Sequence, residues 1–249
     1  MAKMPDCFVN LTVTSPPYDN LRDYKGYSFP FEEIAKELYR TTKNGGVVVW
    51  VVGDATVDGS ETGSSFKQAL YFMQCGFLLH DTMIYLKQGF ANPSSNRYHQ
   101  VFEYMFVFSK GKPSTFNGIK DKLNNWGNTK TGDTTQRQKD GSLKETGKRD
   151  IDIYGMRYNV WEVKNEGGWN NVDENTKLHP ATFPQLLAFD HIKSWSNEND
   201  LVYDCFMGSG TTAKAAIAAN RKYIGSEISK EYYDIIQKRL QPMLHNLFT

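Results

Sequence analysis

The stretch from Leu201 to Glu227 constrains the fold more than any other part of the chain. Leu201-Val202-Tyr203 reads as a short strand and Asp204-Cys205-Phe206-Met207-Gly208-Ser209-Gly210-Thr211-Thr212 as a glycine-rich turn. Ala213 to Ala219 reads as a helix, and Lys222 to Ser226 as a second strand that ends at Glu227. This is a βαβ unit, which holds its two strands parallel and lays the helix across one face of the sheet.

The rest of the chain repeats that alternation. Phe8 to Val13 predicts a buried strand that Pro16 and Pro17 must end, and Phe31, Ile34, Ala35 and Leu38 recur at helical spacing. Val47 to Val52 reads as a strand buried on both faces. A helix from Ser64 to Gln74, a strand region from Phe77 to Leu86 and an aromatic-rich strand from Phe102 to Phe108 follow. Beyond the insert described below, Phe183 to Trp195 reads as a helix, and Tyr232 to Leu240 as a last amphipathic one. The order predicts an α/β fold: a mostly parallel sheet with helices on both faces. With 249 residues, of which 39% are hydrophobic, the chain can bury a real core. Its longest apolar run, Val47 to Val52, is far short of a membrane span, and Met1 to Pro5 carries no apolar stretch like a signal peptide. The expectation is a cytoplasmic protein with no membrane partner. Cys7, Cys75 and Cys205 form no C-x-x-C pair, and His80, His99, His191 and His245 show no ligand spacing, so neither a disulfide framework nor a metal site is expected.

From residue 109 to about 175 the texture changes to Gly, Lys, Asn, Thr and Asp, which predicts an irregular insert without a core of its own. Residues 109–157 hold eleven Lys and Arg against six Asp and Glu, in a chain whose formal net charge is only +1. A solvated loop region and a nucleic-acid surface both account for that charge. The insert's Trp126, Trp161 and Trp169 would serve DNA, a second subunit in a homodimer or a small local core.

Two motifs carry chemistry. Gly208-x-Gly210-x-x-Ala213 lies between a strand and a helix, where glycines let backbone approach a ligand and helix amides face it. Glu227 ends the next strand, where a carboxylate accepts hydrogen bonds from the two hydroxyls of a ribose. NAD, FAD and S-adenosylmethionine all meet that description. Ser15-Pro16-Pro17-Tyr18 separates them. The carbonyls of a rigid diproline segment, free of competing N–H donors at Pro16 and Pro17, can accept from a substrate amino group. Ser15 adds an acceptor and Tyr18 a flat face, which suits a planar ring bearing an exocyclic NH₂.

Together the motifs resemble the DNA amino-methyltransferases that modify cytosine N4 or adenine N6, over nearly the whole chain and in the permuted order with the catalytic motif first. Thr14-Ser15-Pro16-Pro17-Tyr18 resembles the catalytic segment, and Asp204, Phe206, Gly208 and Gly210 match the D-P-F-x-G-x-G cofactor loop, with Cys205 in the place of proline. Tyr223 to Ile228 is similar to the ribose-binding strand, and His179-Pro180-Ala181-Thr182-Phe183-Pro184 to the H-P-x-x-x-P segment at the methionine end of the cofactor. The resemblance implies a Rossmann-like methyltransferase fold in residues 1–108 and 176–249, and a target-recognition insert at 109–175. It implies S-adenosyl-L-methionine held by Asp204, Phe206, Gly208, Gly210, Thr212, Glu227, His179, Pro180, Phe183 and Pro184, and catalysis by Ser15, Pro16, Pro17 and Tyr18. Double-stranded DNA would meet Arg97, Lys130, Arg137, Lys139, Lys148 and Arg149, in the setting of a restriction-modification enzyme. Serine in the first motif position leans towards cytosine N4, aspartate towards adenine N6. A protein-glutamine methyltransferase and a catalytically silent DNA-binding relative are the alternatives. Relatives also carry a further strand ahead of the catalytic one, ending in an acidic residue near the cofactor adenine, and the sequence given starts after the place of that strand.

Overall fold

A computed structural model describes residues 1–17, 29–89, 93, 95–163 and 184–245. In chain order the elements are β1 (Val9–Thr14), α1 (Phe31–Thr41), β2 (Thr42–Val52), β3 (Thr56–Val57), β4 (Ser60–Glu61), α2 (Ser64–Gln74), β5 (Leu78–Leu86) and β6 (Phe102–Ser109). Six short strands follow: β7 (Lys120–Leu123), β8 (Thr129–Lys130), β9 (Thr135–Arg137), β10 (Leu143–Glu145), β11 (Asp150–Ile151) and β12 (Tyr154–Met156). The chain then continues through β13 (Val160–Glu162), α3 (Gln185–Trp195), β14 (Leu201–Asp204), α4 (Thr211–Ala218), β15 (Lys222–Gly225) and α5 (Lys230–His245). It divides into two compact units, one of Met1–Asn117 with Asn159–Thr249 and one of Gly118–Tyr158.

The larger unit is built on a seven-stranded sheet in the order β13-β5-β6-β2-β1-β14-β15. Its neighbours run parallel except at β6, which is antiparallel to both β2 and β5. Side chains on successive residues of a strand point to opposite faces, so two neighbouring residues reveal both layers. Phe106 and Phe108 of β6 join Val48, Trp50 and Val52 of β2 in a core closed by Ala35 and Leu38 of α1 and by Ala69 and Phe72 of α2. Met105, the neighbour of Phe106 on the strand, faces the other way and meets His191 of α3 at 3.2 Å (Sδ to Nε2). The α1–α2 layer and the α3 layer therefore cover opposite faces, and Val47–Val52 is buried throughout. α2 starts at Gly63 in the left-handed region, and the Asp54 carboxylate at the end of β2 takes the Ser65 N–H (2.8 Å) and the Ser64 hydroxyl (3.0 Å). An anion at this position satisfies open amides and opposes the helix dipole.

One edge of the sheet differs from the sequence expectation. Trp161 lies in β13 and is buried, stacked on His191 with ring centroids 4.5 Å apart, so the sheet takes an edge strand from within 109–175. At the opposite edge, no strand pairs with the outer side of β15 among the described residues.

The smaller unit is not irregular. β7 pairs with β12, β8 with β11 and β9 with β10, all antiparallel and nested, so the chain folds back on itself as one interrupted two-stranded ribbon. Backbone bonds between the ladders join them: Asn128 N–H to Ile151 O, Thr131 N–H to Arg149 O and Thr146 N–H to Thr134 O, each 2.8–2.9 Å. A lone ribbon has no face to bury, so its strands show no alternation of apolar and polar residues.

Candidate active site

β1 and β14 are the point where the chain's connections part. The segment after β1 leads through α1 to β2 on one side, and that after β14 leads through α4 to β15 on the other. Ligands bind open α/β sheets at such a switch point, outside the carboxyl ends of the strands. The register Leu11↔Val202 and Thr12↔Tyr203 brings both strands to that edge together, so Ser15-Pro16-Pro17 emerges beside Cys205-Phe206-Met207.

A buried hydrogen bond joins the two turns. Thr14 Oγ1 donates to Asp204 Oδ1 at 2.6 Å across 190 residues of sequence. Asp204 also accepts the Phe206 N–H at 3.0 Å and a hydrogen bond from Thr212. Burial pushes its carboxyl pKa up, and these three donors pull it back. Val13 O lies 3.3 Å from the same Thr212 Oγ1 and shares its single proton with Asp204, tying α4 to β1. The side chains of Asp204 and Thr212, assigned to the cofactor from the sequence, thus make bonds inside the protein that hold the glycine turn against the Ser15-Pro16-Pro17 segment. Phe206 packs edge-on to Phe29 and Trp50, which anchors the turn in the core.

Gly208 (φ 53°) and Gly210 (φ 82°) lie in the left-handed region that glycine adopts without strain, and Gly210 caps α4. The Glu227 carboxylate reaches back across the turn and accepts the Gly208 N–H at 2.7 Å and the Ser229 N–H at 2.9 Å. Each carboxylate oxygen keeps a second lone pair for a ligand hydroxyl. Pro16 is buried, Pro17 half-buried, and Pro184 opens α3. Tyr18, His179, Pro180 and Phe183 lie outside the described residues, as does Trp169.

The DNA methylase family matches this chain over residues 9–238. The chain belongs to that family. The orphan methyltransferase M.BamHII of Bacillus amyloliquefaciens is 57% identical over 246 residues, covering 95% of this chain and 90% of that protein. The type II methyltransferase M.BglII of Bacillus subtilis is 28% identical, over 93% of this chain and 63% of its own length. Among solved structures, the PvuII DNA methyltransferase (cytosine-N4-specific) superposes with a TM-score of 0.67 at 20% identity, over 98% of this chain and 87% of that one. The M1.HpyAVI–SAM complex gives 0.60 at 21% identity, over 94% and 89%.

In this DNA methylase two further residues shape the glycine turn. Arg239 of α5 is buried and donates through Nη1 to Ser209 O and, at 3.1 Å, to Ser209 Oγ. It sits three and four residues beyond the buried Ile236 and Ile235, a placement on the apolar stripe that distinguishes it from a surface arginine. Gly225, the last residue of β15, lies under Met207: a Cβ there would stand 1.6 Å from the Met207 Cε. Of the basic residues expected on DNA, Lys130, Arg137, Lys139, Lys148 and Arg149 all belong to the ribbon unit. Arg97 belongs to the sheet unit, where its guanidinium binds Gly59 O and Thr56 Oγ1 of the β3–β4 hairpin. The three cysteines are free, and burial pushes the Cys205 thiol up. No helix among the described residues is long and apolar enough to cross a membrane.

Proposed function

We propose that this DNA methylase is a site-specific enzyme that methylates the exocyclic N4 of a cytosine flipped out of duplex DNA, with S-adenosylmethionine as methyl donor. The observation that carries this reading is the buried Thr14–Asp204 bond, which docks the Ser15-Pro16-Pro17 acceptor segment on the glycine turn. The residues present fit the cofactor. Gly208 and Gly210 present bare backbone at two positions of the turn, and Glu227 offers its remaining lone pairs to ribose hydroxyls. When bound, the cofactor supplies an electrophilic methyl group on a sulfonium.

The chain's own residues handle the amine. Its lone pair is conjugated into the base ring, so acceptors that favour a more tetrahedral nitrogen lower the barrier, and holding the nitrogen in line lowers it further. The Ser15 hydroxyl and the Pro16 carbonyl are those acceptors, and Tyr18 stacks on the flipped base. His179, Pro180, Phe183 and Pro184 close over the methionine end of the donor. Serine at position 15, where adenine-specific relatives lean towards aspartate, supports cytosine. The basic ribbon supplies phosphate contacts through Lys130, Arg137, Lys139, Lys148 and Arg149, with Arg97 adding to them from the sheet unit.

The test is incubation with tritium-labelled S-adenosylmethionine and mixed-sequence duplex DNA, then nucleoside analysis. Label in N4-methylcytosine is expected. Label in N6-methyladenine would move the target base within the same reaction, and absence of label with cofactor bound would overturn the reading. Ser15→Ala should abolish labelling and leave cofactor affinity intact; Glu227→Ala should weaken cofactor binding first.

A further inference from the structure

The ribbon keeps one register over most of its length. Between the Thr129↔Ile151 pair and the Arg137↔Leu143 pair the two strands use the same number of residues, and Gln138 N–H closes the tip on Ser142 O at 2.8 Å. Side chains alternate, so Gln136 and its direct partner Lys144 share a face with the residues two places away on either strand: Thr134, Gln138, Ser142 and Thr146. The Thr134 and Thr146 hydroxyls, 2.6 Å apart, meet across that face. It carries no acidic and no apolar side chain. The opposite face presents Thr135, Arg137, the exposed Leu143 and Glu145.

We infer that this DNA methylase reads its recognition sequence in the major groove with the Gln136–Gln138–Lys144 face of the ribbon tip. The inference rests on the DNA-methylating function proposed above and adds to it the side chains that select the sequence. A major groove about 12 Å wide admits a two-stranded ribbon, whose strands lie about 4.8 Å apart. A glutamine carboxamide pairs donor and acceptor with adenine N6 and N7, and a lysine ammonium donates to guanine O6 and N7. The Gln136 carboxamide and the Lys144 ammonium have no hydrogen-bond or ion-pair partner among the described residues, so binding costs them no internal bond.

Charge complementarity selects duplex DNA as the occupant. Residues 118–158 carry nine Lys and Arg against six Asp and Glu, and the only acid of β9 and β10, Glu145, lies on the opposite face with Arg137, whose longer side chain reaches a flanking phosphate. Presenting the other face would set that carboxylate between two rows of phosphates. At the tip the exposed Asp140 carboxylate accepts the Ser142 N–H and hydroxyl at 3.0 and 2.7 Å, next to the exposed Lys139.

The test maps methylated positions by single-molecule sequencing of DNA from cells that express the wild type, Gln136→Ala, Lys144→Ala or the opposite-face variant Leu143→Ala. The wild type should mark one motif. Gln136→Ala and Lys144→Ala should each relax it at one position, with discrimination falling roughly tenfold to a hundredfold, while Leu143→Ala leaves it unchanged. No methylated motif with the wild type would defeat the function proposed above and not this inference alone. An unaltered motif in both face variants, or a motif relaxed by Leu143→Ala instead, would overturn the inference. If a face variant loses methylation altogether, its binding to the wild-type motif and to unrelated duplex at one salt concentration decides. Loss confined to the motif supports readout, and equal loss on both duplexes overturns it.

Discussion

Replacing Thr14 by valine would keep the volume of a fully buried side chain and delete one donor to Asp204. The acceptor is itself 2% exposed, and burial raises its pKa from the ordinary aspartate value of 3.8. A hydrogen bond to a charged group is worth about 1.5–3 kcal/mol net, against about 0.5–1.5 kcal/mol between neutral groups. Thr14→Val should therefore cost about 2 kcal/mol where Asp204 is ionised, and about half of that where it is protonated. At this chain length about 2 kcal/mol corresponds to roughly 4–8 °C in Tm.

The dependence on pH has a definite sign. An acid whose pKa is higher in the folded state than in the unfolded state makes stability fall as pH climbs from the unfolded value through the folded one. Deleting a donor that favours the ionised form raises the folded pKa further. The deficit of the variant must then grow with pH between the two folded values and stay level above them. Thermal melts of the wild type and Thr14→Val between about pH 5 and 9 measure that deficit. The same pair in an Asp204→Asn background should show a deficit that does not change with pH. A deficit that shrinks as pH rises in the wild-type background would refute the charged character assigned to this bond.

The cofactor turn supplies three more expectations. Gly225→Ala drives a methyl group into Met207 and should cost about 1–3 kcal/mol of stability and weaken S-adenosylmethionine binding in calorimetric titration; adding Met207→Ala should restore much of both. Arg239→Met keeps an extended side chain but removes the donors to Ser209, so cofactor affinity should fall while cofactor-free affinity for DNA holds; equal loss of both would count against the tether. Cys205 is held as a thiol by burial, so Cys205→Ala should retain methylation, and alkylation that modifies the exposed Cys7 should leave activity intact.

Most of the sheet was legible because its strands are covered on both faces. Val47–Val52 could be nothing but a doubly buried strand, and the helix read at Ser64–Gln74 is α2 to the residue. The direction of β6 was not legible. Alternation predicts parallel strands only where a helix crosses between them, and no apolar period marks a helix in the linker from β5 to β6. The ribbon was hidden for a different reason: strands exposed on both faces obey no hydrophobic period, and only the glycines and asparagines of their turns show. Trp161 could be placed in the sheet only through its parallel pairing with Tyr85 in β5, a contact between distant segments that local patterning does not carry.

The site divides along the same line. A glycine motif announces that a turn approaches a ligand, because the backbone conformations of Gly208 and Gly210 are written in the residue type. It does not say which way the polar side chains beside it point. Asp204 and Thr212 belong to the motif and face inward to Thr14 and Val13, whereas Glu227, nineteen residues beyond Gly208, turns back to its N–H. One physical clue was present. β1 ends its buried run at Thr14, and a threonine with no access to water is stabilised by an acceptor on a neighbouring strand. Asp204, at the end of the adjacent strand, is that acceptor for Thr14, and their bond sets the distance between the segment proposed to hold the amine and the turn proposed to hold the methyl donor.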